Sequence, residues 1–383
     1  MVNDYRASVR LAMEFIGQAY IQDQGHPDYH GFYHMYDSRT GKWNYAYMEL
    51  AWQVIYDALL PYHQYTGETR WLAQAERMIL DWGIPKLMCA DRASQAYGGM
   101  LLNNSPETQT ELYGDCYHTF DCGDGLLAFL MVYERTGDPA VLGGAKRISG
   151  FLRRATSPDH HVRMVFDARK NEWDDAPQIY PASRAAWAYA YWYRLTGEGK
   201  YREWADEYGR WILSQQRPNG FLSPKDPEVA EFMIYAIEGL YWAGIFCGNE
   251  AFVQGAKRSF DGLLAARKSG PGNLYFYYHA DGSPDPCCVE ADARSAEKDM
   301  LSTCGQVAKL AHYFHQRTGE ARYRRAYLEA LDFMYGMQDR TSRDPNMLGG
   351  WPRATNHAWT RSVCPAYNYV GAVLLDERLL DCE

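Results

Sequence analysis

YHQYTGETRWL (62–72), VYERTGDPAVL (132–142), YRLTGEGKYR (193–202) and FHQRTGEARY (314–323) are four copies of one phrase. In each, an apolar helical run ends at Thr-Gly-acid and a second helix begins. A shorter variant, FCGNEAF (246–252), fills the gap between the third and fourth copies. Glycine after a helix supplies a left-handed C-cap residue, and an acid just after it suits the first turn of the next helix. Each copy therefore predicts an αα-hairpin closed by a tight turn. Working outward, inner helices are expected near 45–64, 119–135, 183–195, 230–246, 298–316 and 363–380. Outer helices are expected near 68–82, 138–155, 199–215, 250–267 and 321–337. Segment 5–21 would supply the sixth outer helix and pack against the C-terminal one. A unit of about 50–70 residues exceeds most open solenoid repeats. The expected architecture is thus an all-α closed toroid, an (α/α)6 barrel, with residues 1–383 as one domain.

The segments 22–44, 86–117, 156–182, 216–229, 268–297 and 338–362 each join an outer helix to the next inner one, so all six emerge on one rim. Loops this long usually carry function, and the active face is expected where the inner helices begin. NLYFYYHADGS (273–283) reads as a short rim strand followed by a turn.

Composition narrows the function. The chain holds 31 Tyr and 12 Trp, residues that suit walls shared between core and binding cleft, as in sugar sites. A net charge of −9 without a basic stretch argues against nucleic acid, though not against an anionic sugar held by a few arginines. No apolar run approaches the ~20 residues of a membrane span. The start, MVNDYRASVRLAMEF, lacks a signal-peptide core, so a cytoplasmic location is expected. Nine scattered cysteines do not suggest a disulfide framework.

Ionisable groups at the start of an inner helix are surrounded by protein and need a reason to be there. They are Tyr45 and Glu49, His118, Asp121 and Asp124, Arg184, Glu228 and Glu231, Glu297 and Asp299, and Arg361. Helix capping by Asp121 or Thr119, and a first-turn position for Glu228, are the plain alternatives. The densest cluster, YGDCYHTFDCGDGLLAFL (113–130), packs Asp115, His118, Asp121 and Asp124 at a loop-to-helix junction. Converging carboxylates push their pKa values apart, which separates a proton donor from an acceptor, as glycoside chemistry requires. EWDDAPQIYPASRAAW (172–187) adds Asp175, Tyr180, Arg184 as a clamp for a sugar carboxylate, and Trp187 as a stacking wall. In LGGWPRATNHAW (348–359), Trp351, Arg353 and His357 either contact sugar or form a turn anchored by an aromatic. His63, His312 and His315 read as packed or exposed, and His160-His161 as a solvated loop.

FDCGDGLLAFLMVYERTGDP (120–139) resembles the segment of the unsaturated glucuronyl hydrolases and their unsaturated rhamnogalacturonyl relatives that carries a catalytic aspartate. These are six-hairpin glycosidases of glycoside hydrolase families 88 and 105. SRAAWAYAYWYRLTGEGKY (183–201) resembles their Ser-Arg-Gly-x-x-Trp-Ala helix, with Arg184 and Trp187 at matching places, and SAEKDMLSTCGQVAKLAHYF (295–314) more loosely resembles a later inner helix. The resemblance implies an (α/α)6 barrel and a metal-free reaction. In it an aspartate, here Asp121, protonates the C4–C5 double bond of an unsaturated uronic acid and water adds. The pattern departs in two places. YAYMELAWQVIYDALL (45–60) offers Glu49 where the family has an aspartate, and Ala185 replaces a glycine.

A rival resemblance lies in STCGQVAKL (302–310) and SVCPAYNYVGAVLL (362–375), which are similar to cysteine segments of zinc-thiolate β-L-arabinofuranosidases. Here, however, the Cys287-Cys288 pair precedes the lone Cys304, with Cys364 further on, and no Cys-x-x-Cys occurs. The expectation is therefore a glycan-active hydrolase on uronic-acid-containing oligosaccharides, with no metal or cofactor. Asp121 would act as acid/base, tuned by His118 or Asp124, with Glu49 as a further catalytic candidate; Tyr45, Asp175, Tyr180, Arg184, Trp187, Glu231, Trp351, Arg353 and His357 would bind substrate. The alternatives are a lyase or epimerase in which Tyr and His abstract the C5 proton, the zinc-thiolate enzyme, and a non-catalytic glycan- or protein-binding toroid. A terpene-cyclase-type toroid fits poorly, because Asp174-Asp175 lacks the first acid of an Asp-x-Asp-Asp motif.

Overall fold

The computed structural model of the chain describes residues 3–46, 48–102, 115–267, 274–286, 301–353 and 358–380, without the side chains of Tyr45, Ala46 and Glu49. Among these residues twelve long helices alternate between two concentric layers, and the chain is an (α/α)6 barrel. The outer helices are α1 (Tyr5–Ala19), α3 (69–87), α5 (Pro139–Ala155), α7 (Gly199–Ser214), α9 (Glu250–Ala266) and α11 (Ala321–Met337). The inner helices are α2 (48–66), α4 (Thr119–Thr136), α6 (Ile179–Thr196), α8 (Ala230–Cys247), α10 (Leu301–Thr318) and α12 (Val363–Leu374). The last is shorter than expected: it stops at Leu374 and a 3-10 turn, Glu377–Leu379, follows.

The layers differ in sequence because they differ in surroundings. Outer α5 buries one stripe, Val141, Ala145, Ile148 and Leu152, and turns Lys146 and Arg154 to water. Inner α8 is buried nearly all round, from Met233 through Tyr235, Ile237 and Leu240 to Gly244. Neighbouring inner helices meet at small residues. A Cβ on Gly239 would lie 2.4 Å from the Ser183 carbonyl oxygen, and one on Gly371 would lie 2.7 Å from that of Asp57. Two π-helical stretches interrupt the first hairpin, Ile55–Leu59 within α2 and Met78–Leu87 at the end of α3.

The repeated phrase has a complete physical account. Gly67, Gly137, Gly197, Gly248 and Gly319 all sit at φ of 68° to 73° as C-cap residues. In the four Thr-Gly copies the threonine hydroxyl donates to the carbonyl four residues back, as from Thr66 to Tyr62 and from Thr196 to Trp192. The same oxygen accepts the N–H two residues on, from Glu68, Asp138, Glu198 and Glu320. One threonine thus joins the end of one helix to the start of the next. The acids occupy the N-cap rather than the first turn, and Asp138 Oδ1 accepts the Ala140 and Val141 N–H groups. Asp138→Ala is expected to cost about 1 kcal/mol in chemical denaturation, whereas Glu198→Ala, whose side chain makes no capping bond, should cost little.

A second repeat lies after the outer helices. His30, Gly98, His160, Gly220 and Gly349 have φ between 72° and 93°, and the residue two places on is in each case fully buried: Phe32, Met100, Val162, Leu222 and Trp351. Each turn seats on the next outer helix; a Cβ on Gly98 would lie 2.2 Å from Arg147 O, and one on Gly349 would lie 2.1 Å from Leu11 O. The turn after α11 thereby rests on α1, and α1 packs against α12, which closes the ring. His161, expected in solvent, is buried within such a turn against Ser157 and Asp159.

Short strands cover the rim. β1 (Tyr33–Asp37) pairs antiparallel with both β2 (Lys42–Ala46) and β8 (Thr360–Ser362). β3 (Cys116–His118), β4 (Val165–Asp167) and β5 (Glu172–Trp173) form a second sheet, and β6 (Glu228–Val229) pairs with β7 (Tyr277–Tyr278), the strand expected near 273–283.

Candidate active site at the rim

The barrel axis carries a chain of buried charges contributed by five consecutive inner helices. Arg184 on α6 places Nε 2.9 Å from Asp124 Oδ1 on α4 and Nη1 2.8 Å from Glu238 Oε2 on α8. Lys309 on α10 lies 3.6 Å from Glu238 Oε1 and 2.8 Å from Asp57 Oδ2, in the π-helical stretch of α2. Asp124 also accepts Gln53 Nε2 at 2.8 Å and Tyr56 Oη at 2.5 Å. Burial raises the Asp57 carboxyl to about 6 against the pull of Lys309, while Lys309 and Arg184 together hold Glu238 below its usual range despite its burial.

This network corrects two expectations. Arg184 is 1% exposed with both its ends engaged, so it is not a clamp for a sugar carboxylate. Asp124 is fully buried and spent on Arg184, Tyr56 and Gln53, so it does not tune Asp121 as a free acid. Three further assignments change. Trp351 is fully buried and its Nε1 donates to Met334 O at 2.6 Å; it is the fifth member of the second repeat, not a cleft wall. Trp187 lies toward the other mouth, stacked on Trp242 at 5.9 Å. Asp175 is exposed and pairs with Arg163 at 2.5 Å.

The rim gathers other groups. His118 ends β3 and stands at the N-cap of α4, with its Nδ1 3.7 Å from Asp121 Oδ2. Thr119 is not spent on capping: its Oγ1 donates to Arg163 O at 2.7 Å, tying this junction to the β4 loop. Asp121 is 2% exposed, and burial lowers the His118 imidazole to about 4, so it is neutral at pH 7. Tyr180, at the start of α6, stacks on Phe232 at 4.0 Å. Glu231 accepts hydrogen bonds from Tyr235 and, across the barrel wall, from Ser302 at 3.1 Å. On the far side His34 of β1 lies 3.9 Å from Cys364 Sγ at the start of α12, and burial, with the Arg353 charge nearby, lowers this imidazole to about 3. His357 and the side chains of Tyr45 and Glu49 lie outside the described residues, as do Cys287 and Cys288, Glu297 and Asp299. Among the described residues no group of three or more His, Cys, Asp or Glu is placed to hold a metal, and no helix is long and apolar enough to cross a membrane.

Glu228, beside this rim on β6, is 2% exposed, and burial pushes its carboxyl up to about 7. Its Oε2 accepts no hydrogen bond among the described residues. A carboxyl raised in the folded state favours folding while it is protonated, and that contribution is lost as pH rises from the unfolded value through about 7. Glu228→Gln should therefore raise stability by about 3 kcal/mol at pH 8 and change little at pH 4, as read by urea unfolding. A loss at pH 8 would instead mean that the ionised carboxylate is held by a partner.

Sequence reasoning missed His34, Asp57, Glu238 and Lys309. A signal was present for Lys309, a lone lysine within the apolar run QVAKLAHYF of an inner helix, since a cation there demands partners. His34 lies in a rim strand whose pairing with residues some 325 positions away leaves no local pattern.

No family model matches the chain, and no curated protein does either. Solved structures do match over nearly the whole length. The cellobiose 2-epimerase of Bacillus thermoamylovorans is 13% identical, with 98% of this chain and 99% of that one covered at a TM-score of 0.73. A D-mannose isomerase is 13% identical, covering 98% and 96% at 0.74. A family 76 α-mannanase of Bacteroides thetaiotaomicron is 12% identical, covering 99% and 98% at 0.71. These neighbours are a sugar epimerase, a sugar isomerase and a mannanase, and at such identity they establish that this chain shares their fold, the (α/α)6 barrel.

Proposed function

We propose that the chain is a glycan-active enzyme that transfers protons on an oligosaccharide held at the rim. The observation that carries this reading is the buried His118–Asp121 pair, a neutral imidazole 3.7 Å from a carboxyl group at the start of an inner helix. Such a pair supplies a general acid and a general base within reach of one bound sugar. Tyr180 and Phe232 offer an aromatic face for the ring, and Glu231 a hydroxyl acceptor. The substrate proposed is a uronic-acid-containing oligosaccharide, unsaturated at its non-reducing end. Arg353 takes the part of carboxylate clamp that Arg184, locked in the axis, does not. Asp121 in its protonated form gives its proton to C4 of the sugar double bond, water adds at C5 and passes a proton to His118, which returns it to Asp121, and the resulting hemiketal collapses to release the aglycone.

A second reading is epimerisation, and His34 favours it. Inverting a carbon requires a proton to leave one face and return to the other, which calls for two bases, and two imidazoles kept neutral by burial stand at the start of α4 and on β1 beside the start of α12. The sugar neighbours include such enzymes. Incubating the protein with lyase-digested uronides and with saturated disaccharides separates the two. Falling absorbance near roughly 235 nm marks loss of the conjugated double bond and hydrolysis. An isomeric disaccharide without absorbance change marks the epimerase. No turnover of any sugar would overturn both and leave a binding toroid.

A further inference from the structure

The mouth opposite the rim also holds a cavity, of about 550 Å³, lined by the C-terminal halves of all six inner helices. Its volume falls in the usual range for small-molecule sites, and its wall is aromatic, from Trp187, Trp242 and Tyr313. Trp187 and Trp242 are parallel within 12°. The charges around them are spent on one another: Glu134 pairs with Arg194 at 2.7 Å, and Asp57 with Lys309 at 2.8 Å. The cavity therefore offers aromatic surface, polar groups at its edge such as Gln64, and little net charge.

We infer that this second mouth is a binding site for a neutral pyranose, whose ring lies against the aromatic wall and whose hydroxyls meet polar groups at its edge such as Gln64. The site is separate from the rim and does not depend on what the rim catalyses. A hydroxyl donating to Asp57 would link its occupancy to the axial charges, since Asp57 is both a lining residue and the end of that chain.

The test is calorimetry and saturation-transfer NMR of the full chain with methyl glycosides of glucose, mannose and galactose. At least one should bind saturably, Trp242→Ala should weaken that binding by about ten-fold or more, and Asp121→Asn at the rim should leave it unchanged. Because Trp242→Ala removes core packing, Gln64→Trp serves beside it: Gln64 is an exposed lining residue, and a larger side chain there plugs the entrance without emptying the wall. Binding that survives both variants, or that Asp121→Asn abolishes, would place the sugar at the rim and overturn the inference. So would the absence of a saturable response to all three glycosides.

Discussion

Arg184→Met should destabilise the fold by about 3–5 kcal/mol, enough to keep much of the variant from accumulating. The expectation follows from what remains when the cation leaves. Asp124 and Glu238, 0% and 1% exposed, lose the charge between them in surroundings that cannot hydrate them. Lys309 lies 3.6 Å from Glu238 and is already engaged with Asp57, so it cannot compensate both. The loss should be reversible by subtraction. In the triple variant Arg184→Met, Asp124→Asn, Glu238→Gln the stranded charges are gone, and most of the stability should return. Urea unfolding of the set decides the matter. A single variant as stable as the parent would mean that the axial charges are solvated or differently arranged, and a triple variant as weak as the single would mean that Arg184 acts through packing on Tyr235 and Phe120.

Asp121→Asn should reduce turnover of the glycan substrate by about 10²–10⁴-fold while leaving the unfolding midpoint nearly unchanged. The two expectations differ because Asp121 is outside the axial network and lies at the rim, 3.7 Å from His118. His118→Gln should produce a smaller loss and should also move the acid limb of the pH–rate profile. In the parent protein burial keeps His118 neutral down to about pH 4, so activity limited by its protonation falls only in that region. Full activity in Asp121→Asn would remove the core of the proposed mechanism, whichever sugar is turned over.

The ring of helices was legible because its signals are local. A threonine that bonds both to the carbonyl four residues back and to the amide two residues on leaves a fixed phrase in the sequence, and four such phrases set the hairpin count. The second repeat was overlooked because its left-handed position accepts either Gly or His, and the apolar residue after it varies from Val162 to Trp351. That oversight is why Trp351 read as a sugar contact. Arg184 misread for a different reason. Its place at the start of an inner helix was read correctly, but the acids that claim it, Asp124 and Glu238, lie 60 and 54 residues away, and pairing at that distance leaves no pattern in one chain. The cluster 113–130 put Asp121 beside His118 at a loop-to-helix junction, and it could not show that the next acid, three residues on, faces inward to Arg184.

The seam where α1 meets the last hairpin has a consequence for biosynthesis. Ser8 Oγ donates to Gln338 Oε1 and shares a hydrogen bond with the Tyr369 hydroxyl, partners 330 and 361 residues later in the chain. As the polypeptide is made from its N-terminus, α1 leaves the ribosome with Val9, Met13 and Ile16 turned to a neighbour not yet synthesised. Five hairpins can assemble into an open arc, but an arc exposes two apolar edges, and neither is covered until the sixth arrives. Chaperone demand should therefore peak late in translation and end abruptly when the ring shuts.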